Sequence, residues 1–179
     1  MKKKIMSLCL VVALAAVTVV GGSLAYFTAE DNAQNDFTVG NVAIDLVEPK
    51  WDADNAKDMY PGQEVAKDPQ VTNTGANPAY IRVKITNPEG VKVTYNKMSA
   101  KWVEKDGYYY YNQAVAPGAT TEAVFQSFTL STETENATAE NKAQNIKVAA
   151  EAVQSQGAPF DDKTFTAEAA AAWFATCGK

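Results

Sequence analysis

The chain has 179 residues, of which 21 are acidic, 16 are basic and none is histidine, so its formal net charge is −5 at pH 7. An acidic balance disfavours nucleic acid and anionic lipid as partners. The absence of histidine excludes Ser-His-Asp and Cys-His catalysis, zinc hydrolysis of the His-Glu-x-x-His type and most transition-metal sites.

The N-terminus has the anatomy of a secretory signal peptide. Three consecutive lysines precede an apolar run over residues 5–20, which a Gly-Gly-Ser sequence ends. The run is shorter than the roughly 20 apolar residues that a membrane-spanning helix needs. Ser23 and Ala25 form a small-x-small cleavage motif, so we predict that residues 1–25 are removed and that the mature chain begins at Tyr26. The membrane is then a partner only before cleavage, and the mature protein is expected to be secreted.

The mature chain, residues 26–179, has the size of one domain. The removed segment carries three lysines and no acid, so 13 basic residues remain against 21 acidic ones, a formal charge of −8. Cys177 is then the only cysteine, and no internal disulfide is possible. The thiol could pair between chains, but a small apolar residue packed under a terminal helix is the simpler interpretation.

Apolar and polar residues alternate along most of the mature chain, as they do in β-strands. In residues 79–86 the pattern places Ile81, Val83 and Ile85 on one face and predicts a solvent-exposed face for the residues between them. The other predicted strands are 37–46 with a bulge near Gly40, 63–73, 91–95, 100–105, 107–112, 121–130 and 145–155. Turn-forming sequences separate them. The sequence therefore predicts a mostly β protein, an antiparallel jelly-roll-like β-sandwich with a short C-terminal helix.

The predicted helix covers residues 166–177. Thr166 is the expected N-cap, Glu168 lies in the first turn, and Gly178 is expected to end the helix. Its predicted buried stripe consists of Ala169, Trp173 and Phe174. The polar stretch 133–142 is expected to form an exposed loop or a short helix.

Two groups of side chains are candidates for contacts beyond the core. Asp52, Asp54 and Asp58 could supply oxygen ligands to calcium, although the Gly and final Glu of an EF-hand loop are missing and a solvated acidic loop is the simpler interpretation. No other cofactor is predicted. In the run 108–111, four tyrosines alternate between two faces, so two are expected in the core and two exposed, either as a contact surface or as a cross-strand aromatic ladder.

Several landmarks, in this order, resemble the camelysin/TasA family of exported proteins from Gram-positive bacteria, which are matured by a dedicated, ER-type signal peptidase. They lie at 25–46, 60–63, 68–75 followed by 80–84, 109–111 followed by 116–118, and 146–154. The resemblance implies a jelly-roll-like β-sandwich, secretion and, for its best-known members, assembly into the fibres of a biofilm matrix. Camelysin itself is classed as a cell-surface metallopeptidase. This chain lacks the histidines that such an activity normally uses, so we do not expect an enzyme.

The segment freed by cleavage, residues 26–38, offers a route to fibres. It carries Tyr26, Phe27 and Phe37 and could add as a strand to the open sheet edge of a neighbour, which is donor-strand complementation. Such a contact is head-to-tail and yields filaments; pairing within its own sandwich is the alternative. We therefore predict a secreted structural subunit of the extracellular or biofilm matrix that binds itself or related matrix subunits. The alternatives are a camelysin-like cell-surface metallopeptidase and a monomeric adhesin or accessory protein.

Overall fold

The computed structural model describes residues 41–133, 145–160 and 164–177. Within these ranges the chain forms nine β-strands in three antiparallel sheets and one α-helix. Several predictions lie outside the described residues: the signal peptide with its cleavage residues Ser23, Ala25 and Tyr26, the segment 26–38 with Phe27 and Phe37, the bulge near Gly40, most of the stretch 133–142, and Gly178.

The strands are β1 (Ile44–Val47), β2 (Glu64–Ala66), β3 (Gln70–Asn73), β4 (Ala79–Thr86), β5 (Val93–Asn96), β6 (Trp102–Lys105), β7 (Tyr108–Tyr111), β8 (Ser127–Leu130) and β9 (Lys147–Gln154), and the helix is α1 (Ala167–Cys177). A 3-10 helix covers Ala53–Ala56. The strand orders are β6-β7-β4-β9, β2-β8-β5 and β1-β3. The predicted mostly β, antiparallel class with a short C-terminal helix is confirmed, and the jelly-roll connectivity stays a prediction.

The two smaller sheets are joined by backbone hydrogen bonds along residues 119–126. Thr121 N donates to Val71 O at 2.9 Å, and Val124 N donates to Pro69 O at 2.9 Å. The predicted strand 63–73 is interrupted after Ala66 and resumes at Gln70, because Pro69 has no backbone N–H to donate to a ladder. The predicted strand 121–130 is regular only from Ser127 onward. The two small sheets therefore form one irregular layer.

The main hydrophobic core lies between this layer and the four-stranded sheet. Val71 of β3, Ile81 and Val83 of β4, and Val124 and Phe125 of the connecting segment are all fully buried. The predicted inward face of β4 is confirmed by Ile81 and Val83, and Ile85 packs against the same cluster while remaining partly exposed. The packing of two antiparallel layers around one core is that of a β-sandwich.

A second core covers the outer face of the four-stranded sheet, where the sequence predicted solvent. Tyr80 of β4 is only 3% exposed, because α1 and Phe160 pack over it. The N-cap prediction is confirmed, since Thr166 Oγ1 accepts a hydrogen bond from Ala169 N at 3.1 Å. The buried residues of α1 are Ala167, Ala170 and Phe174. The predicted stripe was therefore correct for Phe174, whereas Ala169 and Trp173 are only partly buried.

The four tyrosines of β7 are divided between the two cores. Tyr111 packs in the main core, with its ring centroid 4.9 Å from that of Trp102, its cross-strand neighbour in β6. Tyr110 packs in the second core against Phe174 at 5.7 Å. Tyr108 and Tyr109 are partly buried. The prediction of two exposed rings is therefore wrong, because α1 covers the face that would otherwise be wet.

Tyr95 of β5, which packs against the main core, makes the stability of the protein depend on pH in the alkaline range. Burial, with a smaller contribution from Tyr109, raises the pKa of Tyr95 to about 12, whereas a tyrosine in an unfolded chain has a pKa of about 10. The neutral phenol favours folding, so its contribution is complete below pH ~10 and is lost as the pH rises toward 12. We expect urea denaturation to show a steeper loss of stability between these pH values in the natural chain than in Tyr95→Phe. Equal slopes would contradict this assignment.

Candidate functional site

The candidate site begins with β9, which is an edge strand of the four-stranded sheet as far as the structure describes the chain. β9 pairs with β4 over its whole length, from Lys147 opposite Thr86 to Gln154 opposite Ala79. Among the described residues no strand pairs with the other edge of β9. In an antiparallel ladder every second residue directs its backbone N–H and C=O away from the partner strand. β9 therefore presents a row of backbone donors and acceptors that an added strand could use.

The length and composition of β9 distinguish it from β6, the opposite edge of the same sheet. β6 has four residues, and two of them, Glu104 and Lys105, are charged. β9 has eight residues with only Lys147 and Glu151 charged. Short, charged edge strands resist pairing with other chains, whereas long edges with few charges invite it. Of the two edges of this sheet, β9 is therefore the better acceptor.

Among the described residues the main core is only partly covered between β9 and β1. Ala150 lies opposite the fully buried Val83 in the β4–β9 register, so its side chain faces the core, yet it is only partly buried. On β1, Leu46 lies opposite the fully buried Val71 and is 37% exposed. Core-facing side chains on both strands thus contact solvent. The part of the chain that the structure describes therefore leaves this side of the sandwich partly open.

A groove of about 560 Å³ runs along β9 at this side of the sandwich, and we call it the β9 groove. Its floor is the second half of β9, residues 150–153. One wall is the chain at 42–44, which leads into β1, and the other is the end of α1, with Phe174, Ala175 and Cys177. The groove therefore lies where a strand added to β9 would be placed.

Arg82 fixes the helix wall of the groove. Its Nη2 atom lies 2.5 Å from Glu151 Oε2, and its guanidinium group packs over the ring of Tyr108 at 4.2 Å and over that of Phe174 at 4.6 Å. Burial alone would lower the pKa of Arg82, but hydrogen bonds to Glu151 and Tyr110 outweigh it and the pKa is raised. Arg82 therefore stays charged and holds α1 against the sheet.

The calcium candidates lie away from this groove, around the 3-10 helix. Asp52 caps the helix by accepting from Asp54 N at 2.9 Å, and Asp54 Oδ1 lies 2.5 Å from Lys57 Nζ. Asp58 has a positive φ of 52° at the end of the turn. In the described parts of the chain no three His, Cys, Asp or Glu side chains are grouped so that they could hold a metal ion. The helix cap accounts for the position of the Asp52 side chain, and the ion pair with Lys57 accounts for that of Asp54. Calcium binding stays a prediction.

The acceptor residues were not predicted from the sequence. Ala150 and Ala152 belong to a strand that the alternation predicted at 145–155, but alternation does not show which strand lies at an edge. Leu46 was predicted in a strand for the same reason. The signal that could have identified them is their position next to fully buried neighbours, and this requires the strand order. Cys177, predicted to pack under the helix, is partly buried and lines the groove.

The described residues define an antiparallel β-sandwich with a long edge strand that has no partner among them, beside an uncovered part of its core. No helix in the described ranges is long and apolar enough to cross a membrane. A profile of the camelysin metallo-endopeptidase family matches residues 1–105. The chain therefore belongs to that family, which confirms the resemblance drawn from its sequence. No curated protein matches the chain.

Proposed function

We propose that this protein is a secreted, non-enzymatic structural subunit of the extracellular or biofilm matrix or of the cell surface, which polymerises by donor-strand addition. The observation that carries the proposal is the outer edge of β9, which pairs with no strand among the described residues, beside a part of the core that is partly exposed. An added strand would pair with the backbone of β9 and would cover Ala150 on one side of the gap and Leu46 on the other. Backbone pairing and the covering of apolar side chains are the two contributions that stabilise a peptide bound by β-augmentation.

The donor in this proposal is residues 26–38, freed when the signal peptide is removed. The segment contains no Gly or Pro and carries Tyr26, Phe27 and Phe37. Donor and acceptor are different surfaces of one molecule, so their contact is head-to-tail and propagates into a filament. While residues 1–25 remain attached they tether the segment, and cleavage by the dedicated signal peptidase starts assembly. The partners are further copies of this chain or related matrix subunits.

The name of the family favours a second candidate, a metallo-endopeptidase of the cell surface. Catalytic zinc sites normally include histidine, and this chain has none. A peptidase would therefore need a metal held by carboxylates alone or with Cys177. This candidate predicts cleavage of casein by the purified mature chain and loss of that cleavage with a chelator.

The test of the proposed function is electron microscopy with size-exclusion chromatography on the mature chain that begins at Tyr26. The protein is purified as a monomer and then concentrated, and we expect filaments to appear. A monomer at every concentration would contradict the proposal and favour an adhesin or accessory protein. Chelator-sensitive cleavage of casein by the monomer would favour the peptidase instead.

A further inference from the structure

A second cleft lies in the layer formed by the two smaller sheets, where the turn after β1, the start of β3, the turn after β5 and the segment before β8 meet. Its volume is about 540 Å³, within the range of pockets that hold small ligands. We call it the polar cleft, because it is lined by the charged and amide side chains of Lys50, Asp68, Gln70, Lys97, Glu122 and Gln126. It shares no lining residue with the β9 groove.

Two carboxylates of the polar cleft are held in place by the chain itself. Asp68 is only 2% exposed, and its Oδ1 and Oδ2 atoms accept from Lys50 N at 2.7 Å and from Gln70 Nε2 at 3.1 Å. Glu122 Oε2 accepts from Ser99 Oγ at 2.6 Å. An ionised carboxylate has about four acceptor positions. Both groups therefore keep acceptor positions that a ligand could use.

Two lysines balance these carboxylates. Lys50 and Lys97 are exposed, and neither forms an ion pair with another described residue. Together with Asp68 and Glu122 they give the lining a formal charge of zero, and two glutamine amides add groups that both donate and accept. Such a lining concentrates neither cations nor anions. It is suited to a neutral ligand that carries both donors and acceptors.

The backbone is strained at Lys97, which has a positive φ of 53°. On one side of it Gln126 N donates to Asn96 O at 3.0 Å, and on the other Ser99 N donates to Val124 O at 3.2 Å. These bonds hold the chain in a conformation that glycine adopts freely but that a residue with a Cβ atom adopts at a cost. Strained non-glycine residues are concentrated at functional sites. The strain at Lys97 therefore favours a role for this turn beyond folding.

We infer that the polar cleft binds a neutral saccharide of one or two rings. Each sugar hydroxyl both donates and accepts, so it can donate to the two carboxylates and accept from the two ammonium groups. The side chain of Met98, which is 41% exposed and lines the cleft, supplies an adaptable apolar contact for the C–H face of a ring. The inference does not depend on the proposed fibre function.

Other classes of ligand match this lining less well. A divalent cation would lie beside two ammonium groups, and an anion would lie beside two carboxylates. An apolar ligand would remove solvent from four charged groups without replacing their hydrogen bonds, which costs free energy. A neutral polyol is the class of ligand that offers partners to both kinds of charge.

Nuclear magnetic resonance on the ¹⁵N-labelled mature chain tests the inference. Glucose, galactose, N-acetylglucosamine, cellobiose and lactose are added separately to the monomer at millimolar concentration. Glucuronate and glucosamine are the charged comparison probes. We expect at least one neutral sugar to shift the backbone signals of residues 97–99 and 122–126 and the side-chain amide signals of Gln70 and Gln126. We expect the charged sugars to shift these signals less.

A pair of substitutions tests the contact with Lys97. Lys97→Gly removes the ammonium group, and the matched control is Asp106→Gly in the turn between β6 and β7, where Asp106 also has a positive φ, of 52°. Glycine relieves the same backbone strain in both variants, so both should fold, which circular dichroism checks. We expect Lys97→Gly to raise the dissociation constant of the sugar at least about tenfold, because hydrogen bonds to charged groups are the stronger ones, and Asp106→Gly to change it little. If Lys97→Gly does not fold, the shift map of the natural chain decides.

The outcomes separate this inference from the proposed function. The inference would be overturned by the absence of shifts with every neutral sugar, by shifts confined to residues outside the cleft, by tighter binding of the charged sugars, or by equal weakening in the two variants. Filaments from a chain that binds no sugar would overturn the inference alone. A monomer that binds a sugar in the cleft but never forms filaments would support the inference and overturn the fibre function in favour of an adhesin.

Discussion

We expect Asn73→Ala in the mature chain to lower the free energy of unfolding by about 3 kcal/mol. Asn73 is fully buried at the end of β3. Its Nδ2 atom donates to Asn77 O and to Val115 O, both at 2.8 Å, and its Oδ1 atom accepts from Gly75 N at 2.9 Å. Alanine removes all three buried hydrogen bonds, although Val115 O still accepts from Ala79 N and Gly75 N still donates to Ala43 O. Urea denaturation followed by circular dichroism measures the loss.

The matched control is the neighbouring residue of β3. Thr72 points to the other face, where its hydroxyl is hydrogen-bonded to that of Thr120 at 2.9 Å in an exposed position. We expect Thr72→Ala to change the free energy of unfolding by less than about 1 kcal/mol, since solvent replaces the lost bond. Equal losses for the two variants would show that Asn73 does not organise this end of the sheet.

The turn that Asn73 holds also places one wall of the β9 groove. Thr74 N and Gly75 N both donate to Ala43 O, at 2.9 Å and 3.0 Å, which positions the chain before β1. A Cβ atom at position 75 would lie 2.7 Å from Ala43 N and from Asn41 O, so only glycine permits this approach. The buried hydrogen bonds of Asn73 and the position of one wall of the β9 groove therefore depend on the same turn.

The sequence predicted those features that depend on local periodicity. The alternation in β4 identified Ile81 and Val83 as core residues, and a Thr before an alanine-rich run identified the cap of α1. Alternation shows which side chains share a face but does not show what covers that face. The outer face of β4 and two of the four tyrosine rings of β7 were therefore predicted to be exposed, whereas Tyr80 and Tyr110 lie under α1.

The same limitation of local patterns applies to the proposed assembly. The donor segment was predicted from the sequence, whereas the acceptor strand could not be. Residues 26–38 follow a predicted cleavage motif, so the prediction of a free strand there rests on local signals alone. The acceptor depends on β9 lying at the edge of its sheet and on Leu46 lying beside an uncovered core. Both are properties of strand order, which is determined by contacts between residues far apart in the sequence, such as Leu46 with Val71, 25 positions apart, and Arg82 with Glu151, 69 positions apart.

Removal of residues 26–38 should abolish filaments while leaving a folded monomer. The two hydrophobic cores are built from residues at or after Ile44, and the described residues belong to one compact unit, Val39–Lys179. The deletion removes the proposed donor and none of the described side chains of either core, so its unfolding midpoint should stay close to that of the full mature chain. Size-exclusion chromatography and electron microscopy of the concentrated proteins measure the effect.

The control for the deletion is a mature chain of natural length in which residues 26–38 are shuffled so that apolar residues fall on both faces. This variant keeps the length and charge of the segment but loses its apolar face, so we expect it to behave as the deletion does. Filaments formed equally well by the shuffled chain would mean that an extended tail suffices and that side-chain alternation is irrelevant. Filaments formed by the deletion itself would sink the donor-strand mechanism, because subunits would then associate through surfaces contained within residues 39–179.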